Sequence, residues 1–453
     1  MIGQAVSRFV PDPDHDRSGF ITMPGGMQEH QRTLWWQTST PKPTLPTIAG
    51  DRSVDVAVIG AGFTGLTAAL HIARSGSSVM VLEAEAIGSG ASGFNAGFVV
   101  PNFAKADPDT VNRKLGAERG RALLDLVSQG GERVFSTARD NKIDCDAAQT
   151  GWLQPAHSDQ MAGALKARVA SWQALGRPLR YLDAAETASL TGVRGYRGAL
   201  FDPTGGTIHP LSYAYGLARA ALAAGALIKE DAPVMSVERM GDNWVLQTAG
   251  GRITARRVLL CTNAGKVGIA RRLYRAIVPL SVYQIATAPL PKDVVARFSP
   301  QRHPVSDTRS NLFTYRLDRD DRLISGGMSL FPIGAHERMA SGIVDRLAEE
   351  LSLGFVPKVE HVWRGVAAMT TDFLPHLYEF GPGFIGGIGC NGRGVAMTAM
   401  LGEVMANAAL GTPLSALPVP QAPARAIPFH TFAQAAPSFA IAQARWQDWR
   451  ARR

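Results

Sequence analysis

The chain has 453 residues, of which 45% are hydrophobic and 19% are charged, and its formal net charge is +9. This length predicts two or three domains, and the composition excludes a disordered chain or a long coiled coil. The basic residues are scattered except for four near the C-terminus, so we do not expect nucleic acid as a partner; these four are Arg445, Arg450, Arg452 and Arg453.

The N-terminal sequence, the lack of a long apolar segment and the spacing of the cysteines predict a cytoplasmic protein. The N-terminus carries acidic residues where a signal peptide needs an apolar stretch, and no segment reaches about 18 apolar residues. We therefore expect no membrane span. The three cysteines are far apart and form no C-x-x-C pair, which indicates neither a disulfide framework nor a metal site.

The first 110 residues contain the clearest structural pattern. Residues 1–50 are polar and Pro-rich, which predicts an extended arm, with Leu34, Trp35 and Trp36 as its anchor on the main body. Residues 54–59 form a short apolar run typical of a buried parallel strand, and apolar spacing over 63–74 predicts a helix. A second strand over 79–83 completes a β-α-β unit.

Helical and strand patterns alternate in the remainder of the chain. The predicted helices cover about 113–139, 159–175, 212–224, 336–353 and 395–406. The predicted strands cover 234–238, 244–248, 258–260, 311–316 and 322–326 within a strand-rich stretch from about 276 to 329, and a strand returns after 359.

A glycine-rich turn joins the first strand to the first helix and predicts a dinucleotide site. Its glycines allow a tight turn, close approach of a pyrophosphate to the backbone, and close packing of helix on strand. Glu83 ends the next strand, where its carboxylate can accept hydrogen bonds from a ribose diol. The predicted contacts in this turn are Gly60, Ala61, Gly62, Phe63, Thr64 and Gly65.

The turn motif does not decide between FAD and NAD, but two further glycine-rich segments favour a long cofactor. Residues 88–100 can follow the cofactor along its phosphates and ring; the alternative is a flexible surface loop. Residues 386–395 lead into a helix whose N-terminus favours negative charge; the alternative is a plain strand-to-helix turn. The further candidate contacts are Ala84, Ser92, Asn95, Ala96, Gly97, Val234, Thr262, Gly389, Gly392, Gly394 and Val395.

Motifs along nearly the whole chain resemble the D-amino-acid-oxidase-like FAD oxidoreductases, which include glycine and sarcosine oxidases. They are GAGFTG with Glu83, GASGFNAG, GGTIHP at 205–210, CTNAG at 261–265, TTDFLP at 370–375 and GCNGRGV at 389–395. Leu34-Trp35, the SGFNAG loop and Ile427-Pro-Phe-His430 resemble the γ-glutamylputrescine-oxidase-like branch. The resemblance implies FAD binding and oxidation of a carbon–nitrogen bond by hydride transfer to the flavin, giving an imine that hydrolyses to a carbonyl compound.

The chain departs from the family pattern at four places. Phe94 stands where the branch commonly has Arg, and Ala367 and Ala396 match positions at which relatives hold a substrate carboxylate with Arg or Lys. No cysteine lies around 366–370, where sarcosine oxidases link their flavin. The resemblance therefore implies non-covalent FAD and a substrate other than a minimal α-amino acid.

These features predict an α/β fold in which a Rossmann-like FAD-binding domain carries an inserted, mostly antiparallel β-sheet substrate domain. We assign residues 51–110, 195–265 and 359–410 to the first domain and 111–194 and 266–358 to the second. Residues 411–453 form a C-terminal tail.

Candidate substrate-site residues are few. For catalysis they are His209, Tyr315 and Trp363, and for substrate binding Arg316 and Arg364. The alternatives are a hydrogen-bonded structural histidine, core packing and a solvated β-face.

We predict an FAD-dependent oxidation of a primary or secondary amine, with O2 or another electron acceptor as the second substrate. Three alternatives remain at this stage: a 2-hydroxy-acid dehydrogenase of the same fold, an RNA-modifying flavoprotein domain, and a flavin-binding protein without catalysis.

Overall fold

A computed structural model of the chain describes residues 32–265, 268–309, 311, 313–329, 334–423, 425–430 and 443. The four C-terminal arginines and the first 31 residues of the predicted arm lie outside the described residues. Within the described ranges, no helix is both long enough and apolar enough to cross a membrane.

The strands, in chain order, are β1 (Arg52–Ile59), β2 (Val79–Leu82), β3 (Phe98–Val99), β4 (Trp152–Pro155), β5 (Arg180–Leu182), β6 (Ala199–Asp202), β7 (Gly206–Thr207), β8 (Leu227–Lys229), β9 (Ser236–Met240), β10 (Asn243–Thr248), β11 (Gly251–Leu260), β12 (Val278–Pro289), β13 (Val305–Ser306), β14 (Thr314–Leu317), β15 (Arg322–Met328), β16 (Val359–Met369), β17 (His376–Gly381) and β18 (Phe384–Ile388).

The helices are α1 (Leu34–Thr38), α2 (Phe63–Arg74), α3 (Ala91–Phe94), α4 (Pro108–Leu115), α5 (Ala117–Ser128), α6 (Gly130–Asp140), α7 (Asp159–Gln173), α8 (Ala184–Thr191), α9 (Pro210–Ala223), α10 (Arg271–Tyr274), α11 (Lys292–Phe298), α12 (Ala335–Glu350) and α13 (Gly394–Ala409), with short 3-10 turns at Gly268–Ala270 and Leu414–Ala416.

The first sheet has the path β17-β18-β11-β1-β2-β8, and β10 and β9 extend it from β11. Its centre is parallel: β1 pairs with β2 and β11, β2 with β8, and β11 with β18. Strands from the start, middle and end of the chain thus share one sheet, as the predicted fold class requires. Because helices cover the centre of this sheet, β2 reads as an uninterrupted apolar run.

The predicted β-α-β unit is present, and its helix has the predicted bounds. Helix α13 packs on α2 so closely that a Cβ at Gly402 would lie 2.7 Å from the backbone oxygen of Thr64. The sequence pattern at 113–139 becomes three helices, α4, α5 and α6. The first of them ends because Gly116 has φ +79°, a left-handed conformation that breaks the helix.

The second sheet has the order β16-β12-β15-β14-β13-β4-β6-β5 and is antiparallel except where β13 pairs with β4. One face packs on α12 through an apolar cluster that includes Tyr283, Tyr315 and Ile343. Strands β6 and β16 pair in this sheet although they lie in segments that we assigned to the FAD-binding domain. The domain boundaries remain a prediction.

The N-terminal segment joins the core through α1. Thr33 caps this short helix by accepting a hydrogen bond from the Trp36 backbone N–H at 3.1 Å. Leu34 and Trp35 are each only 1% exposed, whereas Trp36 is 36% exposed. The predicted extended arm therefore contains one helical turn, whose apolar face lies in the main core.

Candidate active site

The glycine-rich turn packs backbone against backbone. Gly60 has φ +108°, and a Cβ there would lie 2.8 Å from the carbonyl oxygen of Cys261 at the end of β11. A Cβ at Gly65 would lie 2.0 Å from the carbonyl oxygen of Gly60. The first turn of α2 therefore rests directly on the turn that precedes it, which only glycine permits at these two positions.

Ser92 joins the second glycine-rich loop to the N-terminus of α2. Its Oγ accepts a hydrogen bond from the Phe63 backbone N–H at 2.9 Å. A Cβ at Gly62 would lie 2.9 Å from the same oxygen. The predicted contact residues Gly62, Phe63 and Ser92 are thus neighbours in space, at a helix end that carries a positive partial charge.

Glu83 lies beside the same turn. Its carboxylate accepts hydrogen bonds from the backbone N–H groups of Ala61, at 2.7 Å, and Glu85, at 3.0 Å. Burial raises the pKa of Glu83, while these hydrogen bonds act in the opposite direction. A half-buried carboxylate at this position keeps free lone pairs for ribose hydroxyl groups.

The third glycine-rich segment opens α13. Gly389 has φ +114°, and a Cβ there would lie 2.7 Å from the carbonyl oxygen of Leu374. At Gly392 and Gly394, by contrast, no heavy atom of the residues that the structure describes, other than those of the same glycine, its chain neighbours and the backbone of its own helix, lies within 4 Å of an added Cβ. The backbone at the N-terminus of this 16-residue helix therefore has free space in front of it, while Val395 is buried behind it.

The residues around these turns fit a dinucleotide. The Oγ1 of Thr262, which follows β11 beside Gly60, is buried and has no hydrogen-bond partner among the described residues. An orphaned hydroxyl, glycines without side chains and free helix N–H groups together match the donors that an anionic, hydroxyl-rich cofactor requires. Of the other predicted contacts, Val234 is buried and Ala84 is exposed.

Asn95 fixes the loop between α3 and β3. Its side-chain oxygen accepts from the Gly97 backbone N–H at 2.8 Å, and its Nδ2 donates to the Ser92 carbonyl oxygen at 2.8 Å. Gly97 has φ +74°, so the chain reverses there. Asn95 therefore orders the loop from within.

Arg316 holds the same loop from the second sheet. Its Nη1 donates to the carbonyl oxygens of Ala96, Gly97 and Ile208 at 3.2, 3.0 and 2.7 Å. Burial lowers the pKa of Arg316 to about 10, so the guanidinium stays charged at neutral pH. The binding of a substrate acid group, which the sequence suggested for Arg316, remains a prediction, and the contacts are those of a clamp between β14 and the loop.

Trp35 contacts four of the predicted residues, and the sequence analysis did not assign it to the site. Its Nε1 donates to the Asn95 carbonyl oxygen at 2.8 Å. Its ring lies 4.9 Å from that of His209 and 6.0 Å from that of Trp363, and the Arg316 guanidinium lies 5.6 Å from its centre. The Leu34-Trp35 pair before the first strand was the sequence feature that could have indicated a role for Trp35 in the site.

His209 caps α9. Its Nδ1 accepts from the Ser212 backbone N–H at 3.1 Å, and its Nε2 lies 3.0 Å from the Thr38 hydroxyl, which itself donates to the Leu34 carbonyl oxygen. Nε2 must therefore carry the proton. Burial, with the charge of Arg316 second, lowers the pKa of His209 to about 3, so the ring is neutral. These contacts are structural.

Strand alternation separates the remaining candidates. Trp363 faces the loop 94–97 between α3 and β3, which we call the cofactor-side loop. Its Nε1 donates there to the Phe94 carbonyl oxygen at 3.0 Å. Arg364, the next residue, is exposed and pairs across the sheet with Tyr283, which packs on α12. Tyr315 likewise points away from Arg316, into the α12-side cluster. Trp363, Arg316 and His209 thus lie together, whereas Tyr315 and Arg364 lie on the far face.

Known proteins are similar to most of this chain. Residues 55–408 match the family described as DAO, FAD dependent oxidoreductase. Gamma-glutamylputrescine oxidoreductase of Escherichia coli (strain K12) is 30% identical over 84% of this chain and 89% of its own. Glycine oxidase of Geobacillus kaustophilus (strain HTA426) is 25% identical over 72% of this chain and 84% of its own.

Solved structures share the fold. Glycine oxidase from Geobacillus kaustophilus matches with a TM-score of 0.65 and 21% identity, over 80% of this chain and 96% of its own. L-amino acid deaminase from Proteus vulgaris, with its specific insertion sequence deleted, matches with a TM-score of 0.69 and 17% identity, over 85% and 97%.

Proposed function

The chain belongs to the FAD dependent oxidoreductase family, and we propose that it oxidises the carbon–nitrogen bond of an amine or amino acid derivative. The observation that carries this proposal is that Gly60–Gly65, Glu83 and Ser92 meet at one turn. The loop that follows Ser92 is held by the aromatic wall, the name we give to Trp35, His209, Arg316 and Trp363. Bound FAD supplies a two-electron acceptor for hydride. The amine nitrogen gives up a proton, and the resulting imine adds water to give a carbonyl product and a released amine or ammonia.

The cofactor is proposed to be held by the residues of the three glycine-rich segments. Backbone N–H groups at the start of α2 are placed for the pyrophosphate, Glu83 for a ribose, and the start of α13 for negative charge on the ring. The role of this chain's own side chains is positioning: Arg316 and Trp35 order the loop 94–97, and Trp363 closes the wall behind it.

We propose that FAD is bound non-covalently. Residues 366–370 read Val-Ala-Ala-Met-Thr and offer no thiol. Burial raises the pKa of Cys390, in the turn before α13, which keeps this thiol protonated and unreactive. The purified protein should be yellow, and acid precipitation should release the flavin into the supernatant. Flavin that stays in the pellet would contradict this part of the proposal.

The substrate is proposed to be an amine whose acid or polar group is distant from the reacting carbon–nitrogen bond. Ala367 lies on the cofactor side of β16, two residues from Gly365, and Ala396 is buried in the first turn of α13. Neither position supplies a cation for an adjacent α-carboxylate, and an unpaired carboxylate buried there is costly.

An anaerobic panel tests the reaction and the substrate class together. Glycine, sarcosine, longer ω-substituted amines and 2-hydroxy acids are each mixed with the oxidised protein, and loss of the flavin absorbance is followed. We expect longer amines to reduce the flavin with the highest second-order rate constant. Reduction by 2-hydroxy acids alone would replace the amine reaction, and a preference for glycine or sarcosine would overturn the argument from the two alanines.

A further inference from the structure

Arg393 precedes α13, and its half-buried side chain carries a charge with no counterion in the described part of the chain. Its guanidinium lies 4.9 Å from the centre of the Trp152 ring, and its Nε is buried. Among the residues that the structure describes, no carboxylate lies within ion-pair distance of this side chain and no acceptor takes a hydrogen bond from it. The nearby Arg177, by contrast, pairs with Asp202 and donates to the Pro101 carbonyl oxygen at 2.6 Å.

A second arginine reinforces this positive charge. Arg168, on α7, donates to the Gln154 side-chain oxygen at 3.3 Å, and Gln154 lies two residues from Trp152 on the same side of β4. Burial first, and the charge of Arg168 second, lower the pKa of Arg393 to about 10. An anion between the two arginines would raise the pKa of Arg393 and so oppose both effects, and at neutral pH Arg393 carries its charge.

Asp107 is the acid whose charge acts on Arg168, and it is already engaged elsewhere. It caps α4 by accepting a hydrogen bond from the Thr110 backbone N–H at 2.8 Å. Although it opposes the effect of burial on the pKa of Arg168, it forms no ion pair with either arginine in the described part of the chain. The residues that the structure describes therefore leave the charge of Arg393 without a counterion.

A further polar group beside Arg393 lacks a partner. The Trp152 Nε1 is buried and donates to no acceptor among the described residues, although the side chain is fully buried. Native proteins rarely leave such groups orphaned, so a donor without an acceptor beside the Arg393 guanidinium indicates a ligand oxygen atom.

Arg393 lies near Ala396 in the chain, and hydrogen bonds of its turn bring it near Ala367; these two alanines match positions at which relatives carry a cation. Arg393 lies three residues before Ala396. The turn that carries it is joined to the end of β16: Asn391 accepts from the Thr370 backbone N–H at 2.8 Å and donates its own N–H to the Ala368 carbonyl oxygen at 3.3 Å. Ala368 directly follows Ala367. Arg393 thus supplies a cation near these two alanines, from a different position in the sequence.

We propose that Arg393, supported by Arg168 and the Trp152 N–H, binds a carboxylate of the substrate that is distant from the reacting amine. This inference rests on the proposed function and deepens it, because it assigns the substrate to amines that carry a remote acid group. The guanidinium offers paired donors suited to a carboxylate, and the Trp152 ring holds its plane in place.

The test uses holoenzyme and pairs of amines that differ only in charge. Suitable pairs are γ-glutamylputrescine with its α-carboxamide and 5-aminopentanoate with 5-aminopentanamide. For the wild type we expect the acids to react with a kcat/KM about 10- to 100-fold above that of the carboxamides. In Arg393→Gln this preference should disappear through KM, while the carboxamides change by less than about threefold. Arg393→Lys should restore part of it, because the charge returns without the paired donors.

Two measurements separate a binding role from a structural or cofactor role. The FAD content and the thermal midpoint of Arg393→Gln should equal those of the charge-matched control Arg239→Gln, whose arginine is exposed on the edge strand β9. Loss of FAD, or an equal loss of activity toward acids and carboxamides, would overturn the proposal.

A binding titration without turnover tests the anion site independently of the proposed reaction. Glutarate, which carries carboxylates and no amine, should perturb the flavin absorbance of the wild type and bind at least about tenfold more weakly to Arg393→Gln. If no amine reduces the flavin but glutarate binding depends on Arg393, the proposed function fails and the anion site stands. If amines react and glutarate binds both proteins equally, only the anion site fails.

Discussion

The glycine-rich turn and the aromatic wall are built in different ways. From Gly60 to Glu83 the chain is continuous, and the close contacts are between backbone atoms or from a side chain to the backbone. The wall, by contrast, collects Trp35, His209, Arg316 and Trp363 from distant parts of the chain. The first region depends on residues that lack a side chain, the second on side chains that reach across elements.

This difference predicts different responses to substitution. A Cβ in the turn meets backbone atoms that cannot move aside, so its effect should be all-or-none. A change in the wall removes one of several contacts and should have a graded effect.

Gly65→Ala is expected to have the largest effect. Its Cβ would lie 2.0 Å from the Gly60 carbonyl oxygen, so α2 must move away from the turn. We expect loss of FAD on gel filtration and destabilisation by more than about 3 kcal/mol in urea unfolding. The control, Gly163→Ala, places its Cβ in open space on α7 and should stabilise the protein by about 0.5–1 kcal/mol. A yellow, stable Gly65→Ala protein would remove the distinction between the two regions.

Arg316→Met should come next. It removes the donor from three buried carbonyl oxygens that join β14 to the cofactor-side loop. We expect a loss of about 2–4 kcal/mol in the free energy of unfolding, with partial recovery in Arg316→Lys. Urea titration of apoprotein and holoprotein measures both. If Arg316→Met left the stability unchanged while abolishing binding of acidic amines, Arg316 would be a substrate ligand and not a clamp.

Glu83→Ala tests a side chain within the turn region. Loss of an acceptor for ribose hydroxyls should weaken FAD binding by about 1–3 kcal/mol, whereas Glu83→Gln, which keeps one acceptor oxygen, should lose less. Titration of the apoprotein with FAD, followed by quenching of flavin fluorescence, gives the affinities. Unchanged affinity in Glu83→Ala would show that the carboxylate serves only the Ala61 and Glu85 N–H groups.

His209 predicts a pH dependence of stability. Its pKa is about 3 in the folded protein and about 6.5 when unfolded, so the unfolded state binds more protons between these values. Stability should therefore fall as the pH decreases from about 6.5 towards 3, by up to about 1.4 kcal/mol per unit. His209→Asn keeps a capping side chain and should have a shallower slope in unfolding measured at pH 7, 6 and 5. Equal slopes would mean that other groups dominate.

Arg364→Gln should have the smallest effect. The residue is exposed on the face of β16 opposite Trp363, so we expect a change in stability within about 0.5 kcal/mol and no rise in KM. Steady-state kinetics with an acidic amine would check this. A clear rise in KM would return Arg364 to the substrate-binding role that the sequence suggested.

The sequence predicted those parts of the fold that are encoded locally. The bounds of α2, the β-α-β unit and the fold class are confirmed, because apolar periodicity and glycine spacing act over a few neighbouring residues. The pattern at 113–139 predicted helix throughout, and the sequence did not show that it divides into α4, α5 and α6. The end of α4 depends on the left-handed conformation of Gly116, which the residue type alone does not reveal.

Which candidate residues face the substrate site depends on the register of the strands that carry them. Tyr315 and Arg316 are adjacent in sequence, as are Trp363 and Arg364, and in each pair only one side chain faces the cofactor side. Shifting a strand by one residue would exchange these roles, so no motif could assign them without the pairing of β12 with β16.

By itself, the sequence predicted a dinucleotide turn, because glycines and an acid stand at the required spacing, and motifs along nearly the whole chain identified the FAD oxidoreductase family. Only the tertiary structure decided which arginines already have hydrogen-bond acceptors and which have none in the described part of the chain. Arg316 satisfies three carbonyl oxygens, whereas Arg393 meets Trp152 and no acceptor in the described residues. The physical reason is that the partners of a buried charge come from segments far apart in the chain, which are brought together only by folding.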